Sequence, residues 1–115
     1  GGAALNADAV KTSAGALMKI PVCREENISN ALKFLAASGI KLIAATEKGA
    51  DTYTSVSMTE PVAIVMGSED EGIAPEHLRQ CHELVKIPML GTIGSLNVSV
   101  ATGVLLYEVV RQRSN

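Results

Sequence analysis

Two short and almost unbroken apolar runs constrain the fold of this chain more than any other feature. They are residues 40–46 and 62–66, and glycine, proline or a charged residue bounds each of them. A strand with one face in water alternates apolar and polar residues, whereas these runs do not. We therefore predict strands that are buried on both faces, as in a parallel sheet covered by helices.

Helical segments are predicted before the first of these runs. Residues 13–20 are rich in small side chains and end at a proline, which predicts a short helix followed by a brief strand at residues 21–23. Asn27 or Ser29 can cap a second helix, and Gly39 is the glycine expected just past its end.

The second half of the chain continues the alternation of strands and helices. Residues 51–59 are polar and predict a loop or a weak helix, and Pro75 marks the first turn of a short helix. Residues 84–89 supply another strand. The final helix, residues 97–111, is apolar on nearly all of its faces, so it needs more than one partner surface. This order of elements predicts an α/β fold with a parallel sheet.

The length and charge of the chain limit its size and its partners. Its 115 residues fit one domain, and ten basic against twelve acidic residues give a net charge of −2. No global basic surface for nucleic acid is expected, so RNA must meet a local patch or another domain. Two separated cysteines, without a signal peptide or a long apolar segment, favour a reducing, cytoplasmic setting and no membrane.

The carboxyl ends of the predicted strands are where a parallel sheet binds ligands. Thr46, Gly67 and Met89 lie at three such ends. The turn that starts at Gly67 reads GSEDEG; it lacks the spacing of phosphate-binding loops, and Glu69 with its acidic neighbours would repel a pyrophosphate. The turn is compatible with a cationic ligand or with a ligand that leaves the acidic side chains pointing away. The alternative is a glycine turn without a ligand, whose acidic side chains are simply exposed to solvent.

A second group of polar residues precedes the final helix. Ser95 and Asn97 follow a loop bounded by glycines, and the amide of Asn97 can cap the helix, bind a ligand, or do both. His77 and Cys81 lie one helical turn apart, but no second pair of ligands has a workable spacing, so a metal site is not expected. Arg111 and Arg113 suit the negative end of the helix dipole.

Four motifs in this order resemble one enzyme family. GSEDEG at 67–72, IPM at 87–89, SLNVSVA at 95–101 and YEVVRQR at 107–113 resemble the SpoU-type RNA 2'-O-methyltransferases of the SPOUT superfamily. The resemblance is greatest to the bacterial branch that methylates a guanosine ribose in large-subunit ribosomal RNA. It implies a parallel sheet flanked by helices, a C-terminal trefoil knot, and a homodimer formed through the C-terminal helix and the knot.

The resemblance also implies S-adenosylmethionine as the cofactor and methyl transfer to a ribose 2'-hydroxyl as the reaction. The positions implied for cofactor binding are Thr46, Gly67, Ile87, Met89 and Leu96. Glu69, Ser95 and Asn97 match the family's functional polar residues, of which Glu69 and Asn97 would organise the site rather than act as nucleophiles.

The family's first motif and an upstream RNA-binding domain have no counterpart in this sequence. That motif holds the arginine assigned to activating the hydroxyl, and the chain starts at Gly1 without a methionine. Residues 1–115 are therefore expected to be the C-terminal, cofactor-binding and dimerising part of a catalytic domain, weak or inactive alone. Two alternatives remain, a transfer RNA 2'-O-methyltransferase and a non-catalytic RNA-binding or assembly module of the same fold.

Overall fold

The computed structural model describes residues 10–14, 19–23, 28–67, 72–87 and 98–114. Strands and helices alternate over most of these residues, as the sequence predicts, but no α-helix lies between the strands Lys41–Ala45 and Val62–Val65. The elements are β1 (Val10–Ala14), β2 (Lys19–Cys23), α1 (Ser29–Ala37), β3 (Lys41–Ala45), β4 (Asp51–Thr52), a 3₁₀ turn (Tyr53–Ser55), β5 (Val62–Val65), α2 (Pro75–Gln80), β6 (Glu83–Lys86) and α3 (Val98–Arg113).

The described strands form one sheet in the order β1-β2-β5-β3-β6-β4. All neighbours from β2 to β4 pair in parallel, which confirms the predicted parallel sheet. The edge strand β1 is antiparallel to β2, with Val10 opposite Cys23 and Ala14 opposite Lys19. The order is not sequential, since β3 lies between β5 and β6.

The predicted helix at residues 13–20 is wrong. Ser13 and Ala14 end β1, and Lys19 and Ile20 begin β2, so the brief strand predicted at 21–23 starts two residues earlier. Small residues have only a weak preference for any element, and pairing with a neighbouring strand overrides it. Here β2 pairs with β5 from the other half of the chain, an interaction that local sequence does not reveal.

The second predicted helix exists, but Ser29 is its first residue rather than its cap. Ile28 occupies the cap position without a side-chain hydrogen bond, and Asn27 lies outside the described residues. The Ser29 hydroxyl donates to Gln80 Oε1 at 3.2 Å, which joins α1 to α2. As predicted, the helix ends just before Gly39, whose φ of +84° favours glycine.

Two other predicted segments differ in their limits. The short helix does start at Pro75, but the strand predicted at 84–89 runs from Glu83 to Lys86, so Ile87 follows it. The polar segment 51–59 holds the 3₁₀ turn and also an unpredicted two-residue strand, β4, which pairs with β6.

Both faces of the central strands are buried, as the unbroken apolar runs predict. In β5, Val62 and Ile64 face one core cluster while Ala63 and Val65 face the other. Helix α3 covers the first cluster, and α1 covers the second. The sheet therefore lies between two helical layers. None of the helices described here has both the length and the apolar character that a membrane span requires.

Candidate functional site

Three of the predicted site residues lie beside one another at the carboxyl edge of the sheet. Thr46 directly follows β3, Gly67 lies two residues beyond β5, and Ile87 directly follows β6. Because β3 pairs with both β5 and β6, the three strand ends are adjacent. This is the edge at which parallel sheets bind ligands.

Thr46 forms a tight turn at this edge. Its N–H donates to the Val85 carbonyl at 2.9 Å, its carbonyl accepts from Gly49 N at 3.0 Å, and its hydroxyl oxygen accepts from Lys48 N at 3.2 Å. A Cβ on Gly49 would lie 2.7 Å from the Val85 carbonyl carbon, so the turn packs directly on the β6 backbone. The turn is therefore held in place by backbone contacts.

Gly67 is the first residue of the acidic sequence GSEDEG and lies against the backbone at its other end. A Cβ at this position would overlap the carbonyl carbon of Gly72 and the nitrogen of Ile73, and it would lie 2.6 Å from Gly72 Cα. Gly72 itself has a φ of +70°. The chain leaving β5 thus passes against the chain that returns toward α2, and only glycine permits this approach.

The core on which Ile87 packs is apolar. Ile87 is half-buried against the core cluster that contains Met66 and Val98, and Val98 is the first residue of α3. The start of α3 therefore packs into the cluster that Ile87 also contacts. Such a site offers a ligand backbone groups and an apolar floor rather than a set of charges.

The remaining predicted site residues lie outside the described part of the chain. They are Glu69, Met89, Ser95, Leu96 and Asn97. Helix α3 is described from Val98 onward, and the predicted cap, Asn97, precedes it in the chain. Their roles stay predictions.

The two thiols and the His82 imidazole have structural roles. Burial raises the pKa of the Cys23 thiol to about 11. Burial is also the main reason that the pKa of the Cys81 thiol is raised to about 12, and the nearby Cys23 is the second reason. Both thiols therefore stay protonated and unreactive near neutral pH. Cys81 is half-buried, and its thiol donates to the His77 carbonyl at 3.3 Å. His82 Nδ1 accepts from Leu42 N at 2.8 Å and so extends the pairing of β3 with β6. The described residues contain no group of His, Cys, Asp and Glu that could hold a metal.

Sequence reasoning missed the contacts of the last turns of α3. Arg111 Nε and Nη2 bind the two oxygens of Glu108 at 2.7 and 2.6 Å. Arg113 Nε donates to the Met58 carbonyl at 3.1 Å, and its Nη2 donates to the Glu60 carbonyl at 2.7 Å. These arginines therefore do more than complement the helix dipole. The only local signal was a cluster of long polar side chains at the end of an apolar helix.

Comparison with known proteins gives consistent matches along the chain. The model of the SpoU rRNA Methylase family matches residues 1–107. The chain is 42% identical over 113 residues to the 23S rRNA (guanosine-2'-O-)-methyltransferase RlmB of Photorhabdus laumondii, covering 98% of this chain and 46% of that protein. It is 45% identical over 105 residues to an uncharacterized tRNA/rRNA methyltransferase of Archaeoglobus fulgidus, covering 91% of this chain and 46% of that protein. The chain thus spans about half the length of these relatives.

Solved structures give the same result for the fold. The crystal structure of an RNA 2'-O ribose methyltransferase matches with a TM-score of 0.70 and 39% identity, covering 74% of this chain and 33% of that one. The SpoU methyltransferase AviRb from Streptomyces viridochromogenes, in complex with AdoMet, matches with a TM-score of 0.65 and 32% identity, covering 75% of this chain and 33% of that one.

Proposed function

The chain belongs to the SpoU rRNA methylase family, and on this premise we propose that it is the cofactor-binding part of an S-adenosylmethionine-dependent RNA 2'-O-methyltransferase. The observation that carries the proposal is the meeting of Thr46, Gly67 and Ile87 at one edge of the parallel sheet. By the family resemblance, residues 1–115 would be the C-terminal part of the catalytic domain, and the chain spans about half the length of the matched relatives.

The residues at this edge fit S-adenosylmethionine. This cofactor supplies an electrophilic methyl group on a positively charged sulfur and carries no phosphate. Ile87 and its cluster offer an apolar surface, and the close backbone approach at Gly67 leaves main-chain groups to bind polar atoms. None of Thr46, Gly67 and Ile87 is a cation, so a polyphosphate would lack a partner among them.

The other predicted site residues have proposed roles in the same site. Met89 and Leu96 would add main-chain contacts to the cofactor, and Glu69, Ser95 and Asn97 would orient the substrate ribose by hydrogen bonds. Orientation is the main task, since the methyl group is already activated. A base for the 2'-hydroxyl proton is expected from the upstream part, so this part alone would be weakly active or inactive.

Ribosomal RNA is the proposed substrate. The cytoplasm is the proposed location of the protein. Ribosomal RNA is favoured because the Photorhabdus relative is named as acting on 23S rRNA. A transfer RNA substrate is the second candidate, since one structural neighbour is described as a TrmH/SpoU tRNA modifying enzyme. Mass mapping of methylated RNA from cells without the protein distinguishes the two, because only the true substrate loses a 2'-O-methyl group.

Calorimetry with S-adenosylmethionine tests the proposed cofactor site. The full-length protein is expected to bind S-adenosylmethionine in the micromolar range and to transfer its labelled methyl group to RNA. ATP serves as the control, because it shares the adenosine but carries a polyphosphate, and no binding of ATP is expected. A folded protein that fails to bind S-adenosylmethionine would instead support the non-catalytic RNA-binding or assembly module.

We further propose a C-terminal trefoil knot and a homodimer formed through it and α3. The dimer is supported by an exposed apolar face on α3, made by Val100, Tyr107 and Val110, which are 53%, 76% and 38% exposed. At 3.6 residues per turn these three side chains share one side of the helix, opposite the buried Leu105 and Val109. A surface of this kind marks a protein interface.

Replacing Tyr107 with glutamate is expected to weaken the dimer at least about tenfold, because a carboxylate would be desolvated at an apolar contact. Analytical ultracentrifugation over a dilution series measures the change. Lys33→Glu on the exposed side of α1 is the matched control and should leave the dimer intact. Equal sedimentation of both variants and the wild type as dimers would show that this face of α3 is not the interface.

A further inference from the structure

The side-chain amide of Gln112 binds the backbone of a distant segment. Its Oε1 accepts from Met58 N at 2.6 Å, and its Nε2 donates to the Val56 carbonyl at 2.9 Å. One amide thus satisfies a donor and an acceptor two residues apart, as a neighbouring strand would do. Val56 and Met58 are both buried, so these backbone groups have little access to water.

A buried carboxylate holds this amide in place. Glu108 is only 4% exposed, and its Oε2 accepts from Gln112 Nε2 at 2.8 Å. The Arg111 guanidinium beside Glu108 holds the pKa of that carboxyl below its usual range, so it remains an acceptor at neutral pH. With Arg113 on the carbonyls of Met58 and Glu60, two side chains of α3, Gln112 and Arg113, hydrogen-bond to the backbone of residues 56–60.

Residues 56–60 lie just before β5 in the chain, and β5 leads toward Gly67. From Gln112, α3 runs back to Val98, which lies roughly 21 Å away along the helix axis at about 1.5 Å per residue. Two regular elements, β5 and α3, therefore connect these hydrogen bonds to the proposed cofactor site. One, β5, ends two residues before Gly67, and the other, α3, starts at Val98.

Apolar contacts alone do not set the position of α3 along its axis with the same accuracy. Its buried face consists mainly of Val98, Ala101, Leu105 and Val109, and such side chains can repack when a helix shifts. Hydrogen bonds to a particular N–H and a particular carbonyl are directional. The Gln112 amide therefore defines the axial position that the apolar face leaves less well determined.

We propose that Gln112 is a positioning residue for the methyl-donor site. It fixes α3 relative to β5 and thereby sets the position of Val98, which directly follows residues 95–97 in the chain, relative to Gly67. This inference rests on the proposed function, because it assigns to that site a residue which lies at the opposite end of α3.

The test compares Gln112→Met with Leu35→Ala in the full-length protein. Methionine keeps the length of the side chain but makes neither amide hydrogen bond. Leu35 is buried on the other face of the sheet, so its truncation should destabilise the protein without moving α3. At a temperature where both variants are folded, calorimetry should show S-adenosylmethionine binding roughly tenfold weaker for Gln112→Met and unchanged within about twofold for Leu35→Ala.

A second variant covers the case in which Gln112→Met does not fold. Arg113 is exposed, and Arg113→Met removes only its hydrogen bonds to the carbonyls of Met58 and Glu60. Roughly threefold weaker binding of S-adenosylmethionine is therefore expected. Unchanged affinity in both α3 variants overturns the inference, as does an equal loss in Leu35→Ala. If the wild-type protein itself does not bind S-adenosylmethionine, the proposed function fails instead, which is a different result.

Discussion

Replacing Gly67 with alanine is expected to abolish S-adenosylmethionine binding and to destabilise the fold by about 3 kcal/mol or more. The added Cβ would overlap backbone atoms of Gly72 and Ile73, and backbone cannot move aside as a flexible side chain can. The backbone at Gly67 and the backbone at Gly72 and Ile73 must then move apart, which displaces the end of β5 from the proposed site. Urea unfolding measures the loss of stability, and calorimetry measures the loss of binding.

Gly72→Ala is the matched control in the same turn. A Cβ at Gly72 meets nothing within 4 Å, so the variant suffers only from its φ of +70°, which costs roughly 1–2 kcal/mol. Gly67→Ala should therefore be the more damaging variant. Equal losses of stability would mean that backbone conformation, rather than the close approach at Gly67, limits this turn.

Leu105→Ala is expected to destabilise the fold by about 3 kcal/mol, because it empties space in the cluster beneath α3. Leu105 is fully buried at 0% exposure, among Ile64, Val85 and Val98 in that cluster. Loss of this contact should also weaken S-adenosylmethionine binding, since residues 95–97 directly precede α3 in the chain. Urea unfolding and calorimetry measure the two effects.

Lys33→Ala is the control for this truncation. Lys33 is exposed on α1, so removal of its side chain should change the stability by less than about 0.5 kcal/mol. If Leu105→Ala were equally mild, α3 would contribute little to the folded state and could not position anything at the strand ends.

Much of the sheet was predictable because its strands carry local signals. The unbroken runs in β3 and β5 indicate burial on both faces, and the two core clusters confirm it. Pro75 and Gly39 mark helix limits through backbone chemistry that acts within a few residues. The segment at 13–20 lacks such a signal, so its prediction was wrong, and β1 formed because β2 was available to pair with it.

The position of the candidate site was only partly predictable. Thr46 and Gly67 could be placed at strand ends because their strands were recognised. Met89 was placed at the third end, but that strand ends at Lys86, so Ile87 follows it instead. The roles of Glu69, Met89, Ser95, Leu96 and Asn97 stay predictions. That the three strand ends meet depends on β3 lying between β5 and β6, an order that the chain does not follow in sequence. Periodicity identifies a strand but not its neighbours.

By itself, the sequence determined the type of fold, the family and the strand ends at which a ligand is expected, because these depend on residue patterns and motif spacing. Only the tertiary structure showed that Gly67 must be glycine, since its obstacle is the backbone of Gly72 and Ile73. Only the structure placed the Gln112 amide on Val56 and Met58, 56 and 54 residues away in the chain. Contacts between distant segments depend on how the elements pack, and local sequence does not encode that packing.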